Sequence, residues 1–234
     1  MMQLLKQEIE ILDIINSVQE DIVNNCNNDY YADRYKDVEK EYWEHIRKWI
    51  YMSRGHQIKN CLDIGAGYGT MLLYAKEIHN CELYGIDFTD RYLSDSLKNK
   101  HSINFELCNI ELDKLPWNEK FDMILLTEVV EHFNFNLVPT LKKIHNSLND
   151  NGTLYISTPD ASKHGKITKY YKDYRDMPEP FKGNDLLDEH VYVFYRHELE
   201  DIFKEVGFRV EKARLTTCGN FNFELKKINL KGEN

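Results

Sequence analysis

Apolar positions divide the chain into two kinds of segment. From Leu4 through Leu5, Ile9, Ile11, Leu12, Ile15, Val18, Ile22 and Val23 they recur near helical spacing, which predicts an amphipathic helix over 4–23. The polar run 24–29 breaks it, and Tyr42, Trp43, Ile46, Trp49 and Ile50 mark one side of a second helix, 36–54. No strand signal precedes residue 58, so 1–57 reads as a helical cap. Short apolar runs then alternate with helical patterns. Strands are predicted at 58–65, 81–88, 102–109, 120–128 and 152–159, and helices at 68–80, 89–100, 129–148 and 197–208. Alternation of this kind implies parallel βαβ units and a sheet covered on both faces. The final segments, 208–217 and 220–230, read as an antiparallel pair joined at Cys218-Gly219. Residues 160–189 fit neither period, and a long irregular stretch inside a compact domain is usually functional, here a lid.

Composition narrows this picture. A chain of 234 residues is long enough for one real core. No apolar run reaches the roughly 20 residues of a spanning helix. Lys6, Glu8, Glu10 and Asp13 interrupt the N-terminal run, so no secretory leader is expected and a cytoplasmic location follows by default. The formal charge is −9, whereas nucleic-acid binding starts from a basic footprint, so a small-molecule substrate is expected and nucleic acid and membrane are disfavoured as partners. The five cysteines are scattered, which fits reduced thiols better than disulfides or a zinc knot.

The chemistry begins at D-I-G-A-G-Y-G, 63–69. Eleven residues in all are glycine, and three of them fall here, where a buried strand turns into a helix. Glycine allows close approach to the backbone, and a helix N-terminus offers N–H groups to a polar or anionic ligand. A dinucleotide fold wants G-x-G-x-x-G, and this loop is G-x-G-x-G. Asp63 could accept from the amino group of a ligand, while Asp87, at the end of the second strand, is placed for ribose hydroxyls. Asn109-Ile110, after the third strand, could cover an adenine.

With LDIGAGYGT (62–70), YGIDF (84–88), FDMILLTEVVEHF (121–133) and LNDNGTLYISTP (148–159), residues 58–230 resemble the class I S-adenosylmethionine-dependent methyltransferases. The resemblance implies a Rossmann-like α/β fold, a seven-stranded sheet that is mostly parallel with an antiparallel last strand. It implies a domain over 58–234, with S-adenosylmethionine as cofactor. Gly65, Ala66 and Gly67 would lie beneath the methionine moiety, Asp87 on the ribose, and Asn109 and Ile110 near the adenine. Asp63 would anchor the loop or the methionine end, and Tyr68, Gly69, Phe88 and Thr127 complete the expected cofactor contacts.

The fourth strand runs into T-E-V-V-E-H. If a helical turn follows, Glu128, Glu131 and His132 project to one side. Two carboxylates and an imidazole converging there would be reconciled by a divalent cation. Equally, a helix dipole favours glutamates in a first turn, and His132 can simply fill space. E-x-x-E-H with the distant His190 resembles the metal-dependent small-RNA 3′-end 2′-O-methyltransferases. That resemblance implies Glu128, Glu131, His132 and His190 as ligands, and the mixed oxygen and nitrogen set suits Mg²⁺ or Mn²⁺. Without a metal, His190 or His132 would be the general base. Glu131, His132 and His190 are therefore the expected catalytic residues.

The expected reaction is methyl transfer to a hydroxyl of a small metabolite, and a resemblance to bacterial methyltransferases that tailor surface glycans implies a sugar or a phosphorylated or phosphoramidate-type intermediate of surface-polysaccharide modification. An RNA 3′ end and a non-catalytic scaffold are the alternatives. Tyr30, Tyr31, Tyr35, Tyr170, Tyr171 and Tyr174 are expected either to stack on a substrate ring or to pack lid against body. Lys163, Lys166, Lys169 and Arg175 are phosphate candidates or simply solvated, and His164 and His197 surface residues.

Overall fold

A computed structural model describes residues 2–26, 28–183 and 186–228. The last two residues of the predicted strand 220–230, and residues 184–185 of the predicted lid, lie outside these ranges. The strands are β1 (Asn60–Ile64), β2 (Glu82–Asp87), β3 (Asn104–Leu107), β4 (Phe121–Thr127), β5 (Leu148–Pro159), β6 (Phe208–Leu215) and β7 (Asn220–Lys227). They form one sheet in the order β3-β2-β1-β4-β5-β7-β6. The pairs from β3 to β5 are parallel, and β7 is antiparallel to both β5 and β6. The closing pair therefore inserts its second strand beside β5 and leaves β6 at the edge.

The helices are α1 (Met2–Asn25), α2 (Lys36–Tyr42), α3 (Glu44–Met52), α4 (Thr70–His79), α5 (Asp95–His101), α6 (Leu137–Ser147), α7 (Ala161–His164) and α8 (Arg196–Val206). On one sheet face Ile15, Ile22, Ile46 and Ile50 of α1 and α3 meet Leu72 of α4 and Leu125 of β4. On the other, Leu141, Ile144, Leu199 and Phe203 of α6 and α8 meet Ile124, Ile156 and Phe223. Leu5, Ile9 and Leu12 of α1 stay exposed. No helix among the described residues is long and apolar enough to cross a membrane.

Three predicted helices differ in ways that matter for the site. The predicted helix 36–54 is preceded by a π-turn, Tyr31–Tyr35, and interrupted at Trp43, whose φ of −111° and ψ of 25° separate α2 from α3. The predicted helix 89–100 starts only at α5, where Ser94 Oγ accepts from Leu97 N at 3.2 Å as an N-cap. The predicted helix 129–148 starts only at α6. Asn136 Oδ1 caps Val138 N at 2.9 Å, and Pro139 sits in the first turn, where no backbone donor is needed. Residues 128–136 are thereby released to form an irregular loop beneath the lid segment.

Candidate functional site

Between β1 and β4 the strand order reverses, and ligands of open α/β sheets collect at the carboxyl ends of strands at such a point. A cavity of about 330 Å³ opens there. Its floor is the β1–α4 loop, and the loops after β2, β3 and β4 form its sides. Tyr30, Tyr35, Glu39 and Trp43 of the N-terminal segment close one end, while Leu186, Leu187 and Asp188 of the lid segment close another.

The three loop glycines have three separate reasons. Gly65, with φ of +73°, would carry a Cβ 2.5 Å from Val129 Cγ2, so its bareness lets the β4 loop lie against the glycine loop. Gly67, with φ of +51°, has nothing but a backbone oxygen within 4 Å of such a Cβ, and there the cavity has room for a ligand. Gly69 starts α4, its N–H donates to Ala66 O at 2.7 Å, and a Cβ would press on Leu93. It does not line the cavity, whereas Asp63, Gly65, Ala66, Gly67, Tyr68, Asp87, Phe88, Asn109, Ile110 and Thr127 all do.

Around this floor the carboxylates differ. Asp87 accepts from Gly67 N at 3.0 Å and from Thr89 N at 3.1 Å, fixing the second loop to the first. Asp63 Oδ1 is buried without a partner, and burial, with Asp87 and Glu39 nearby, holds its carboxyl well above the usual range. Trp43 Nε1 is a buried donor without an acceptor. Asn109 turns its Oδ1 onto Glu111 N at 2.9 Å, and Phe88 leaves its ring exposed.

At the far side the structure assembles part of the expected cluster. Glu131, His132 and His190 each bring a ligand atom within 4.8 Å of the others. The His132 and His190 rings stand 4.7 Å apart, edge to face. Glu131 Oε2 accepts from Thr158 Oγ1 at 2.9 Å, and its main-chain oxygen accepts from Val191 N at 2.7 Å and Tyr192 N at 3.2 Å, which brings His190 to the loop. Burial, and then the charge of Glu128, raises the Glu131 carboxyl well above its ordinary range. Burial lowers His132, with His190 adding to the effect, so His132 favours the neutral form.

Glu128 is not in that cluster. Its φ is +54°, so the helical spacing expected for it does not exist, and a 3-10 turn begins only at Val130. Glu128 Oε2 accepts from Asn220 Nδ2 at 2.6 Å, while Asn220 Oδ1 lies 3.0 Å from His164 Nε2. Glu128 Oε1 is buried and without a partner.

The remaining candidates separate cleanly. Tyr31 and Tyr174 are buried packing residues, and Tyr171 packs against the core, whereas Tyr30 and Tyr35 reach the cavity. Tyr170 hydrogen bonds to Glu189 instead. Lys166, Lys169 and Arg175 are paired with Glu198, Glu189 and Asp173 and do not line the cavity. Two further contributors lie outside the expected set, and one of them has a signal in the sequence pattern. Glu39 lies three and four residues before Tyr42 and Trp43, an acid on an apolar stripe, and it is 2% exposed. It accepts from Gln19 Nε2 at 3.2 Å, Tyr31 OH at 3.1 Å and Thr70 Oγ1 at 3.0 Å. Burial pushes its carboxyl up to about 8. Asn220, from the closing pair, carried no local signal.

Sheet order, glycine loop and the acid ending β2 together define a Rossmann-like class I methyltransferase fold. Residues 39–213 match the methyltransferase-domain family, so the chain belongs to that family and is an S-adenosylmethionine-dependent methyltransferase. No functionally curated protein matches the sequence significantly. Among solved structures, an S-adenosylmethionine-dependent methyltransferase from Clostridium acetobutylicum is 14% identical with a TM-score of 0.58, over 83% of this chain and 99% of its own. A chain in the complex between the Trm112 methyltransferase activator of Haloferax volcanii and a methyltransferase is 14% identical with a TM-score of 0.62, covering 88% and 97%. An O-methyltransferase from neocarzinostatin biosynthesis, bound to S-adenosylmethionine and 2-hydroxy-5-methyl naphthoic acid, is 16% identical with a TM-score of 0.55, covering 82% and 55%.

Proposed function

We propose that this chain transfers a methyl group from S-adenosylmethionine to a hydroxyl of a small, sugar-like metabolite. The observation that carries the reading is the cavity floor. Asp63 Oδ1 and Trp43 Nε1 are an unpartnered acceptor and an unpartnered donor, suited to the ammonium and carboxylate of the methionine end. Gly67 leaves open space between them and Asp87, which offers its carboxylate to ribose hydroxyls, and the Phe88 ring and Asn109-Ile110 flank the adenine position.

Bound there, the cofactor supplies a methyl group already activated on a sulfonium. The protein's own task is alignment and proton removal. His132, neutral through burial and at the cavity wall, is the group able to take the proton of the acceptor hydroxyl. Glu131, through its main-chain oxygen, holds the extended segment 190–192 against it. The phosphate of the expected phosphorylated sugar finds no lysine or arginine in the described wall, so the reading keeps the hydroxyl and drops the phosphate. The same acidic wall disfavours an RNA end.

A second reading has an observation of its own. Glu131, His132 and His190 converge as a carboxylate and two imidazoles, and His132 Nδ1 is buried without a partner. That donor set, two nitrogens and one oxygen, fits Mn²⁺ or another first-row ion better than Mg²⁺, and such an ion would lower the pKa of an acceptor hydroxyl. The test has two parts. Calorimetric titration with S-adenosylhomocysteine should show one site, weakened at least about tenfold by Asp63→Ala. Labelled methyl transfer into a metabolite extract should follow, and binding without transfer identifies a scaffold. Mn²⁺ added to the loaded protein, read by electron paramagnetic resonance, should saturate only if the second reading holds, and Glu131→Ala with His190→Ala should abolish it.

A further inference from the structure

We propose that Lys143, on α6, is a positioning residue for the cofactor's base: it fixes the loop after β3 and through that loop sets the preference for adenine over other purines. The inference rests on the reading that places the adenine beside Asn109-Ile110. Lys143 Nζ donates to three main-chain oxygens of one loop, those of Ile110, of Glu111 at 3.0 Å and of Asp113 at 3.0 Å. An ammonium carries three N–H donors, so this one commits all of them to a single short stretch of backbone. Lys143 does not line the cavity, whereas Asn109, Ile110 and Glu111 do. It therefore acts on a ligand through the loop and not by touching it.

The lead-in to the same helix grips the loop from a second side. Glu111, 5% exposed, accepts with one oxygen from Asn134 N at 3.1 Å and with the other from Phe135 N at 2.9 Å. Both donors lie just before the Asn136 cap of α6. Main chain and side chain of the loop are thus both referred to α6, whose Leu141 and Ile144 are locked in the core. Within the loop Asn109 is occupied as an acceptor. Its Oδ1 takes Glu111 N at 2.9 Å, and its main-chain oxygen takes Leu112 N at 3.0 Å and Asp113 N at 2.8 Å. The Ile110 N–H, by contrast, has no acceptor among the described residues. A main-chain donor held still at the cavity wall suits a ring nitrogen with a lone pair, such as N1 of adenine. It is opposed by the N–H that hypoxanthine carries at the same place. Selection of this kind needs a fixed loop, because a loose one can turn a carbonyl to the wrong base.

The test uses the full chain and two ligands, S-adenosylhomocysteine and its deaminated form S-inosylhomocysteine, which differ only at the base edge. Calorimetric titration of the unmodified chain should favour the adenine compound by at least about a hundredfold. Lys143→Met keeps the length of the side chain and removes the ammonium. It should cut that ratio at least about tenfold, chiefly by weakening S-adenosylhomocysteine. Lys143→Gln, the milder change, should cut it at least about threefold. Lys226→Met is the matched control. Lys226 is also half-buried and donates to Asn151 O and Thr153 Oγ1, and it does not line the cavity. That variant should lower the melting temperature and leave the ratio within about twofold. An unchanged ratio in folded Lys143→Met or Lys143→Gln would overturn the inference. So would an equal fall in Lys226→Met, because lost stability alone would then explain it, and so would equal binding of the two compounds by the unmodified chain. Failure to bind S-adenosylhomocysteine at all would instead overturn the reading beneath it.

Discussion

The two ends of the cavity are built by different means. The floor under the proposed cofactor is made of backbone: tight turns at Gly65 and Gly67, with Asp87 tying one loop to the next. All of it comes from strand ends within 25 residues of one another. The acceptor end is made of side chains brought from far apart. Glu128 and Glu131 follow β4, His190 follows the lid segment, Asn220 comes from the closing pair and Tyr35 from the π-turn. A backbone-built site tolerates almost no change in main-chain geometry. A side-chain-built site depends on a few hydrogen bonds that hold distant segments in register.

The sharpest way to break that contrast is at Gly65. Gly65→Ala puts a Cβ into Val129 at a left-handed φ, so we expect a loss of about 2–4 kcal/mol and loss of S-adenosylhomocysteine binding. A melting curve close to wild type with intact binding would show that the floor is not fixed by its backbone.

The next largest effect is on pH dependence. Glu39 is raised from 4.5 to about 8 in the folded chain, so the native state binds more protons than the unfolded state across that window. Its contribution to stability is present below about 4.5 and is lost as pH rises toward 8. Glu111, raised to about 7, acts with the same sign. The cofactor-free chain should melt about 5 °C lower at pH 8.5 than at pH 6, and Glu39→Gln should remove much of the difference. A flat profile in the unmodified chain would contradict a buried, protonated Glu39.

At the acceptor end, Asn220→Ala removes the donor to Glu128 and the partner of His164. We expect a loss of about 1–2 kcal/mol of stability, with S-adenosylhomocysteine affinity changed by less than about threefold. A loss of S-adenosylhomocysteine affinity of about tenfold or more would erase the distinction between the two ends. Lys169→Ala, which removes an exposed, solvent-screened pair with Glu189 in the lid segment, should leave the melting temperature unchanged.

The floor was legible because its signals are local. Glycines at 65, 67 and 69, an acid at or next to the end of each of the first two strands and the alternation of periods are all written in short windows. Of the three glycines Gly69 alone stays out of the cavity wall, because its place is beside Leu93 at the start of α4. The acceptor end was legible in part. Glu131, His132 and His190 do converge, but Glu128 was placed with them by assuming a helix where Asn136 and Pro139 start one eight residues later. That cap and proline were visible in the sequence, whereas the positive φ of Glu128 was not.

By itself, then, the sequence determined the βαβ order, the helices on both faces, the glycine loop and the acids near the ends of β1 and β2. These follow from periodicity and from residues whose backbone preferences act over a few positions. Tertiary structure alone decided which side chains share the acceptor end. Asn220 reached Glu128 across 92 positions of chain, and Glu39 became a buried carboxyl because α2 packs over the start of α4. Contacts at such separations depend on strand order and on loop paths, and no short window of residues encodes either.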